Sequence, residues 1–138
     1  MADILFRFDV DAPPHRVLEA LKTADGIRGF WTSRAEVPTA VGETLRLGFA
    51  VAPAPFDLRL ERSDDRGVTW RTESFPPHWV GTRVIWTVEP RDDGSTVGFM
   101  HAGFDDGADA GHAAYTWGQI MVRLKQFAES GRPDPVFA

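Results

Sequence analysis

The sequence has no cysteine among its 138 residues, which excludes a disulfide framework, a thiolate zinc site and a cysteine nucleophile. It has no apolar run near the roughly 18 residues of a membrane-spanning helix, and its N-terminus lacks the basic and apolar regions of a secretory signal. Basic residues number 15 against 20 acidic ones, whereas a nucleic-acid-binding module normally shows a basic face. We therefore expect a soluble, cytoplasmic protein that neither binds nucleic acid nor spans a membrane.

Motifs of several enzyme classes are also missing. No serine lies in a Gly-x-Ser-x-Gly nucleophile elbow, and no glycine-rich phosphate loop is present. Four residues resemble ligands of a hard metal, namely Asp105, Asp106, Asp109 and His112. Their spacing does not match a calcium-binding loop, and Asp106 with Asp109 is better interpreted as an acidic cap of a following helix. The sequence therefore predicts no catalytic residue, no metal and no cofactor, and it leaves open whether the protein is an enzyme.

Apolar residues, by contrast, are abundant: 43% of the chain is hydrophobic, with five tryptophans and ten phenylalanines. This composition supports a sizeable core, and the length predicts one domain over residues 1–138. Apolar and polar side chains alternate in six segments, which is the pattern of half-buried strands. The segments are 4–10, 44–51, 56–61, 68–73, 83–89 and 97–101. Short turn sequences separate the last five segments, which indicates an antiparallel meander with one apolar face.

Helical periodicity flanks these strands. Residues 14–22 carry an apolar stripe, and a second short helix ending at Trp31 follows an interruption at Gly26. A longer stripe runs from Gly107 to a stop at Gly131. We predict an α+β fold in which a curved antiparallel sheet of six to seven strands wraps around the long C-terminal helix. Two short helices follow the first strand.

Several short motifs follow the opening strand, namely Ala12-Pro13-Pro14-His15-Arg16-Val17, Gly29-Phe30-Trp31-Thr32, Gly42-Glu43-Thr44-Leu45, Gly81-Thr82-Arg83-Val84-Ile85-Trp86, Thr96-Val97-Gly98-Phe99-Met100-His101-Ala102-Gly103-Phe104 and Trp117-Gly118. In this order they resemble the START/SRPBCC helix-grip superfamily, and more narrowly the branch named after the activator of the heat-shock-protein-90 ATPase. The resemblance implies a hydrophobic cavity under the long helix, used in the superfamily for lipid or polyketide-like ligands, cyclisation chemistry or protein partners. It implies no shared catalytic set. The co-chaperone of this branch also has a separate chaperone-binding domain, for which these residues leave no room.

His101 is the most suggestive polar residue, because it shares a predicted inward strand face with Val97 and Phe99, while Met100 faces outward. It is either a group that orients a ligand or transfers a proton, or a buried histidine satisfied by its neighbours. Aromatic residues on the same surface either line a pocket or fill it. The predicted ligand-binding residues are Phe49, Trp70, Trp86, Phe99, His101, Trp117 and Met121.

Three functions fit these expectations. The first is binding of a small hydrophobic or amphipathic ligand between the sheet and the C-terminal helix. The second is a cyclase or hydratase that uses the same cavity, with His101 assisting proton transfer. The third is a co-chaperone-like interaction module, with a homodimer or a protein partner. The apolar segment Phe75–Val80 is expected to form the rim of the cavity, to contact a partner, or to fold back over the interior as a lid.

Overall fold

The computed structural model describes all 138 residues and contains seven strands and three α-helices. In chain order these are β1 (Ala2–Val10), α1 (Pro14–Lys22), α2 (Ala24–Phe30), β2 (Arg34–Glu36), β3 (Thr44–Gly48), β4 (Phe56–Asp64), β5 (Gly67–Thr72), β6 (Arg83–Arg91), β7 (Gly94–Phe104) and α3 (Gly107–Ser130). A short 3-10 helix, Pro77–Trp79, lies between β5 and β6.

The strands form one antiparallel sheet in the order β1-β7-β6-β5-β4-β3-β2. Strands β2 to β7 follow one another as a meander, and β1 closes the sheet beside β7. The predicted helix-grip fold class is therefore confirmed. Strand β2 is the one strand that the six predicted segments do not include, because its three residues are too few to show a period of two.

Strand β7 has the predicted register. Val97, Phe99 and His101 are at most 3% exposed on the inner face. Met100 lies between Leu5 of β1 and Ile85 of β6 on the outer face, where Leu5 is 66% exposed. Alternate residues of a strand point to opposite faces, so one strand contributes both to the core and to the solvent-facing side.

Several predicted boundaries differ from the structure: β1, β4 and β7 are longer than the predicted segments. Strand β3 ends at Gly48 rather than at residue 51, and Val51 is 92% exposed. The first short helix ends at Lys22 as predicted, but the predicted interruption at Gly26 is wrong, because Gly26 lies inside α2. The side-chain oxygen of Thr23 accepts a hydrogen bond from the backbone N–H of Gly26 at 3.0 Å, which caps α2. This cap starts α2 at Ala24, so the helix continues through Gly26 instead of beginning after it.

Helix α3 covers the inner face of the sheet as predicted. The side chain of Asp106 caps its first turn by accepting from the backbone N–H of Ala108 at 2.7 Å. Gly131 ends the helix in the left-handed conformation, with φ of 76°. The buried stripe of α3 consists of Ala110, Ala113, Trp117, Ile120, Met121, Leu124 and Ala128. None of the three helices combines the length and the apolar character needed to cross a membrane.

Candidate functional site

The centre of the space between the sheet and α3 is filled by aromatic rings. The ring of Trp117 lies 4.6 Å from that of Phe99 and 4.9 Å from that of Trp31, measured between ring centroids. Trp86 packs edge-on against Phe99 at 4.7 Å, and Trp70 lies next to Trp86 at 6.2 Å. Contacts at these distances are typical of packed aromatic pairs. The rings therefore pack against one another as core at this position.

His101 is fully buried behind these rings and uses both of its ring nitrogens. The indole N–H of Trp117 donates to Nδ1 of His101 at 3.0 Å. The other nitrogen, Nε2, lies 2.8 Å from Oγ1 of Thr82, and this hydroxyl donates to the backbone oxygen of Trp79 at 2.5 Å. Because Nδ1 accepts, the neutral ring carries its proton on Nε2 and donates it to Thr82. One hydrogen-bond chain therefore joins α3, β7, the residue before β6 and the 3-10 helix.

This environment keeps His101 neutral. Burial lowers the pKa of His101 from its ordinary value of 6.5 to about 3, and repulsion from the imidazole of His78 contributes in the same direction. A group with such a pKa is unprotonated throughout the physiological range, and neither of its nitrogens is free for a ligand. The position of His101 favours the interpretation as a satisfied core residue over a role in proton transfer.

An open cavity lies beside this filled centre, at one end of α3. Its volume is about 330 Å³, and ten of the thirteen residues that line it are hydrophobic. The exposed residues Val51, His78 and His112 mark its mouth, while Trp117 forms part of its floor. The complete lining is Trp31, Phe49, Val51, Ala52, Phe56, His78, Trp79, His112, Ala113, Thr116, Trp117, Ile120 and Phe137.

The segment Phe75–Val80 forms one wall of this cavity and also folds over the interior. Trp79 is 8% exposed, and its ring is stacked on that of Trp117 at 5.8 Å with an interplanar angle of 18°. Phe56 packs edge-on against Trp79 at 5.2 Å. His78, the neighbour of Trp79, is exposed and lines the mouth. The segment therefore combines two of the roles predicted as alternatives, rim and lid.

The C-terminal tail supplies another wall. The backbone N–H of Phe137 donates to the oxygen of Trp31 at 2.9 Å, and the N–H of Ser33 donates to the oxygen of Phe137 at the same distance. These bonds hold the ring of Phe137 against that of Phe49 at 4.9 Å. A tail without regular secondary structure is thereby fixed at the cavity by hydrogen bonds to the residues after α2.

Of the seven residues predicted to bind a ligand, the structure places Phe49 and Trp117 in the cavity lining. The other five are outside that lining and are buried in the core, namely Trp70, Trp86, Phe99, His101 and Met121. The strand alternation found the inner face correctly. It did not distinguish the part of that face under the middle of α3, which is filled, from the part beside its first turns, which is open.

Several lining residues were not predicted. Ala113, Thr116 and Ile120 share a face of α3 with Trp117, since positions three and four apart are neighbours on a helix. That spacing was a signal in the sequence. Trp31 and Phe137 gave no such signal, because each lies outside the regular elements and reaches the cavity through tertiary contacts.

A curved antiparallel sheet closed over one long C-terminal helix, with two short helices after the first strand, defines the helix-grip α+β fold. No protein-family profile and no curated protein sequence matches the chain. Solved structures do match it, and they confirm the resemblance to the helix-grip superfamily and to the activator of the Hsp90 ATPase.

One such structure is the Aha1 dimer from Colwellia psychrerythraea, which is 25% identical, has a TM-score of 0.86, and is matched over 95% of this chain and 98% of that one. CalU16 from Micromonospora echinospora is 17% identical with a TM-score of 0.72, over 94% of this chain and 77% of its own. DynU16, from the dynemicin biosynthetic locus, is 18% identical with a TM-score of 0.79, over 95% of this chain and 48% of its own. At such identities, CalU16 and DynU16 share the fold alone.

Proposed function

We propose that the protein binds a small apolar or amphipathic molecule in the cavity beside the first turns of α3. The observation that supports this function is the cavity itself, with its volume of about 330 Å³ and its largely hydrophobic lining. Sites for small molecules usually enclose about 300–1,000 Å³ and are mostly apolar with a few polar groups. The volume suits a compact ligand or one short acyl chain.

The tryptophans of the lining allow ligand binding to be measured directly by fluorescence. Trp31, Trp79 and Trp117 all border the cavity, so an occupant changes the surroundings of three indole rings. Titration with a homologous series of linear alcohols is expected to give a saturable change in intrinsic fluorescence. Each added methylene that enters the cavity contributes about 0.8 kcal/mol, which is about a fourfold gain in affinity. The gain stops at the chain length that fills the cavity.

A matched pair of variants tests whether this cavity is the site. Thr116 lines the cavity on α3, whereas Gln119 is exposed on the same helix and does not line it. Thr116→Phe is expected to fill the space and abolish the titration, and Gln119→Phe is expected to bind as the wild type does. Equal binding by both variants, or an absence of any fluorescence change across the series, would contradict the proposal.

A cyclase or hydratase is the second function to consider, and the structure gives it less support. Its proton-transferring group was expected to be His101, whose two nitrogens are both engaged in the core. The cavity lining contains no aspartate, glutamate, lysine or cysteine, and its two histidines, His78 and His112, are exposed at the mouth, where solvent reaches them. We therefore place binding ahead of catalysis for this site.

We also propose that the chain forms a homodimer. The support is its likeness to Aha1 from Colwellia psychrerythraea, whose solution structure is that of a dimer. Sedimentation velocity across a range of protein concentrations is expected to show twice the mass of one chain. A mass of one chain at every concentration would overturn this proposal and leave the binding proposal intact.

A further inference from the structure

The polar groups of the cavity lining are few and come from two elements, the 3-10 helix and α3. Three of the thirteen lining residues are polar, namely His78, Thr116 and His112. His78 belongs to the 3-10 helix, and the other two lie one turn apart on α3. The two histidines are exposed and Thr116 is half-buried. The cavity therefore has an apolar interior and a polar mouth between two facing elements.

The chemistry of this mouth is that of a hydrogen-bond donor set. Each imidazole offers at least one N–H, and the hydroxyl of Thr116 offers one O–H. No carboxylate lines the cavity to occupy these donors. A carboxylate is an acceptor with two oxygens, and its bonds to such donors are among the stronger ones in proteins.

We propose that the ligand is an amphiphile with a carboxylate head, bound with its chain against the aromatic floor and its head between His78, His112 and Thr116. This inference rests on the proposed function, because it assigns the head group of the molecule that the cavity holds. In a wholly apolar cavity a carboxylate is the least favourable head, since its desolvation is costly. The order of affinities among different head groups therefore reports on the polar mouth.

Four probes with the same octyl chain test the proposal: octanoate, octanol, methyl octanoate and octylamine. We expect octanoate to bind the wild type tightest, by roughly tenfold over octanol, because a charged acceptor forms stronger bonds with the three donors. The double variant His78→Leu/His112→Leu is expected to reverse the order, so that octanol and the ester bind tighter than octanoate. His15→Leu, at an exposed position of α1, is the control and is expected to keep the wild-type order.

The outcomes separate the two proposals. If the wild type binds octanol and the ester as tightly as octanoate, the head-group inference is overturned and the cavity is still a binding site. A double variant that keeps the preference for octanoate would overturn the head-group inference in the same way. Failure of all four probes to bind would overturn both proposals. Circular dichroism of each variant verifies that the fold is retained, and single His78→Leu and His112→Leu variants replace the double variant if it does not fold.

Discussion

Two tryptophans of the core differ in how their indole nitrogens are satisfied. Trp86 and Trp117 are each 1% exposed, and both pack against the ring of Phe99. The N–H of Trp117 donates to His101, whereas the buried N–H of Trp86 has no hydrogen-bond partner. A buried polar group without a partner costs roughly 1–3 kcal/mol. The two residues therefore contribute differently to stability in spite of equal burial.

A pair of identical substitutions measures this difference. Trp86→Phe removes an unpaired N–H, whereas Trp117→Phe leaves Nδ1 of His101 without its donor. We expect Trp117→Phe to lower the free energy of unfolding by roughly 1–3 kcal/mol more than Trp86→Phe does. Denaturant unfolding followed by circular dichroism provides the measurement, since fluorescence itself changes in both variants. Equal losses would show that the bond to His101 adds nothing to stability.

The neutral state of His101 makes stability depend on pH. The pKa of His101 falls from 6.5 to about 3 on folding, chiefly through burial. Between these values the unfolded chain binds a proton that the folded chain does not, so the free energy of unfolding decreases as the pH falls from 6.5 towards 3. His101 changes the free energy of unfolding by at most about 1.4 kcal/mol per pH unit. Above pH 6.5 the titration of His101 no longer changes the free energy of unfolding.

His101→Gln tests the slope, because glutamine does not titrate. We expect this variant to be less stable than the wild type at pH 7 and to lose less stability between pH 6.5 and 5. The range stops at pH 5 because Glu129, whose pKa is lowered by Lys125 and by the backbone of Asp11, adds its own acid sensitivity below it. His15→Gln, at an exposed position, serves as the control. Parallel curves for wild type and His101→Gln would contradict the prediction.

Glycines in two helices have opposite surroundings. A Cβ added at Gly26 in α2 would lie 2.3 Å from the backbone oxygen of Ala20, whereas one added at Gly118 in α3 would meet nothing within 4 Å. Alanine favours the helix over glycine by about 1 kcal/mol. Gly118→Ala is therefore expected to raise the melting temperature, and Gly26→Ala to lower it because α1 and α2 must separate. Calorimetry on both variants checks the signs, and a rise for Gly26→Ala would mean that the contact relaxes without cost.

The regular elements were predictable from the sequence because each carries its own period. The alternation in β7 identified Val97, Phe99 and His101 as inward, and the stripe of α3 identified Trp117. The partners of His101 were not predictable, since Thr82 lies 19 residues away and Trp117 16 residues away. Such contacts depend on how the elements pack against one another, which local periodicity does not encode.

The cavity was beyond sequence reasoning for the same reason. Its walls come from the end of α2, the connection after β3, the 3-10 helix, α3 and the C-terminal tail. An open space is the volume that these pieces leave unfilled, and it depends on their relative placement. The predicted alternatives, an open pocket or a filled interior, are both present at different positions under α3.

One cluster of 31 buried apolar residues runs through the whole chain, from Ile4 in β1 to Ala128 in α3. The expectation of one domain over residues 1–138 stays a prediction, and this continuous core supports it. Both ends of the chain take part in the packing, since β1 pairs with β7 and the tail bonds to the residues after α2.

The pairing of β1 with β7 has a consequence for biosynthesis. Ala2 lies opposite Phe104 in the sheet, so β1 leaves the ribosome about a hundred residues before its partner strand does. Until then the apolar face of β1 lacks both its neighbouring strand and its covering helix. Non-local pairing of this kind slows folding into the range of milliseconds to seconds. The nascent chain therefore exposes an unpaired, apolar strand until β7 and α3 have been synthesised, and this is the stage at which protection by a holdase chaperone would matter most.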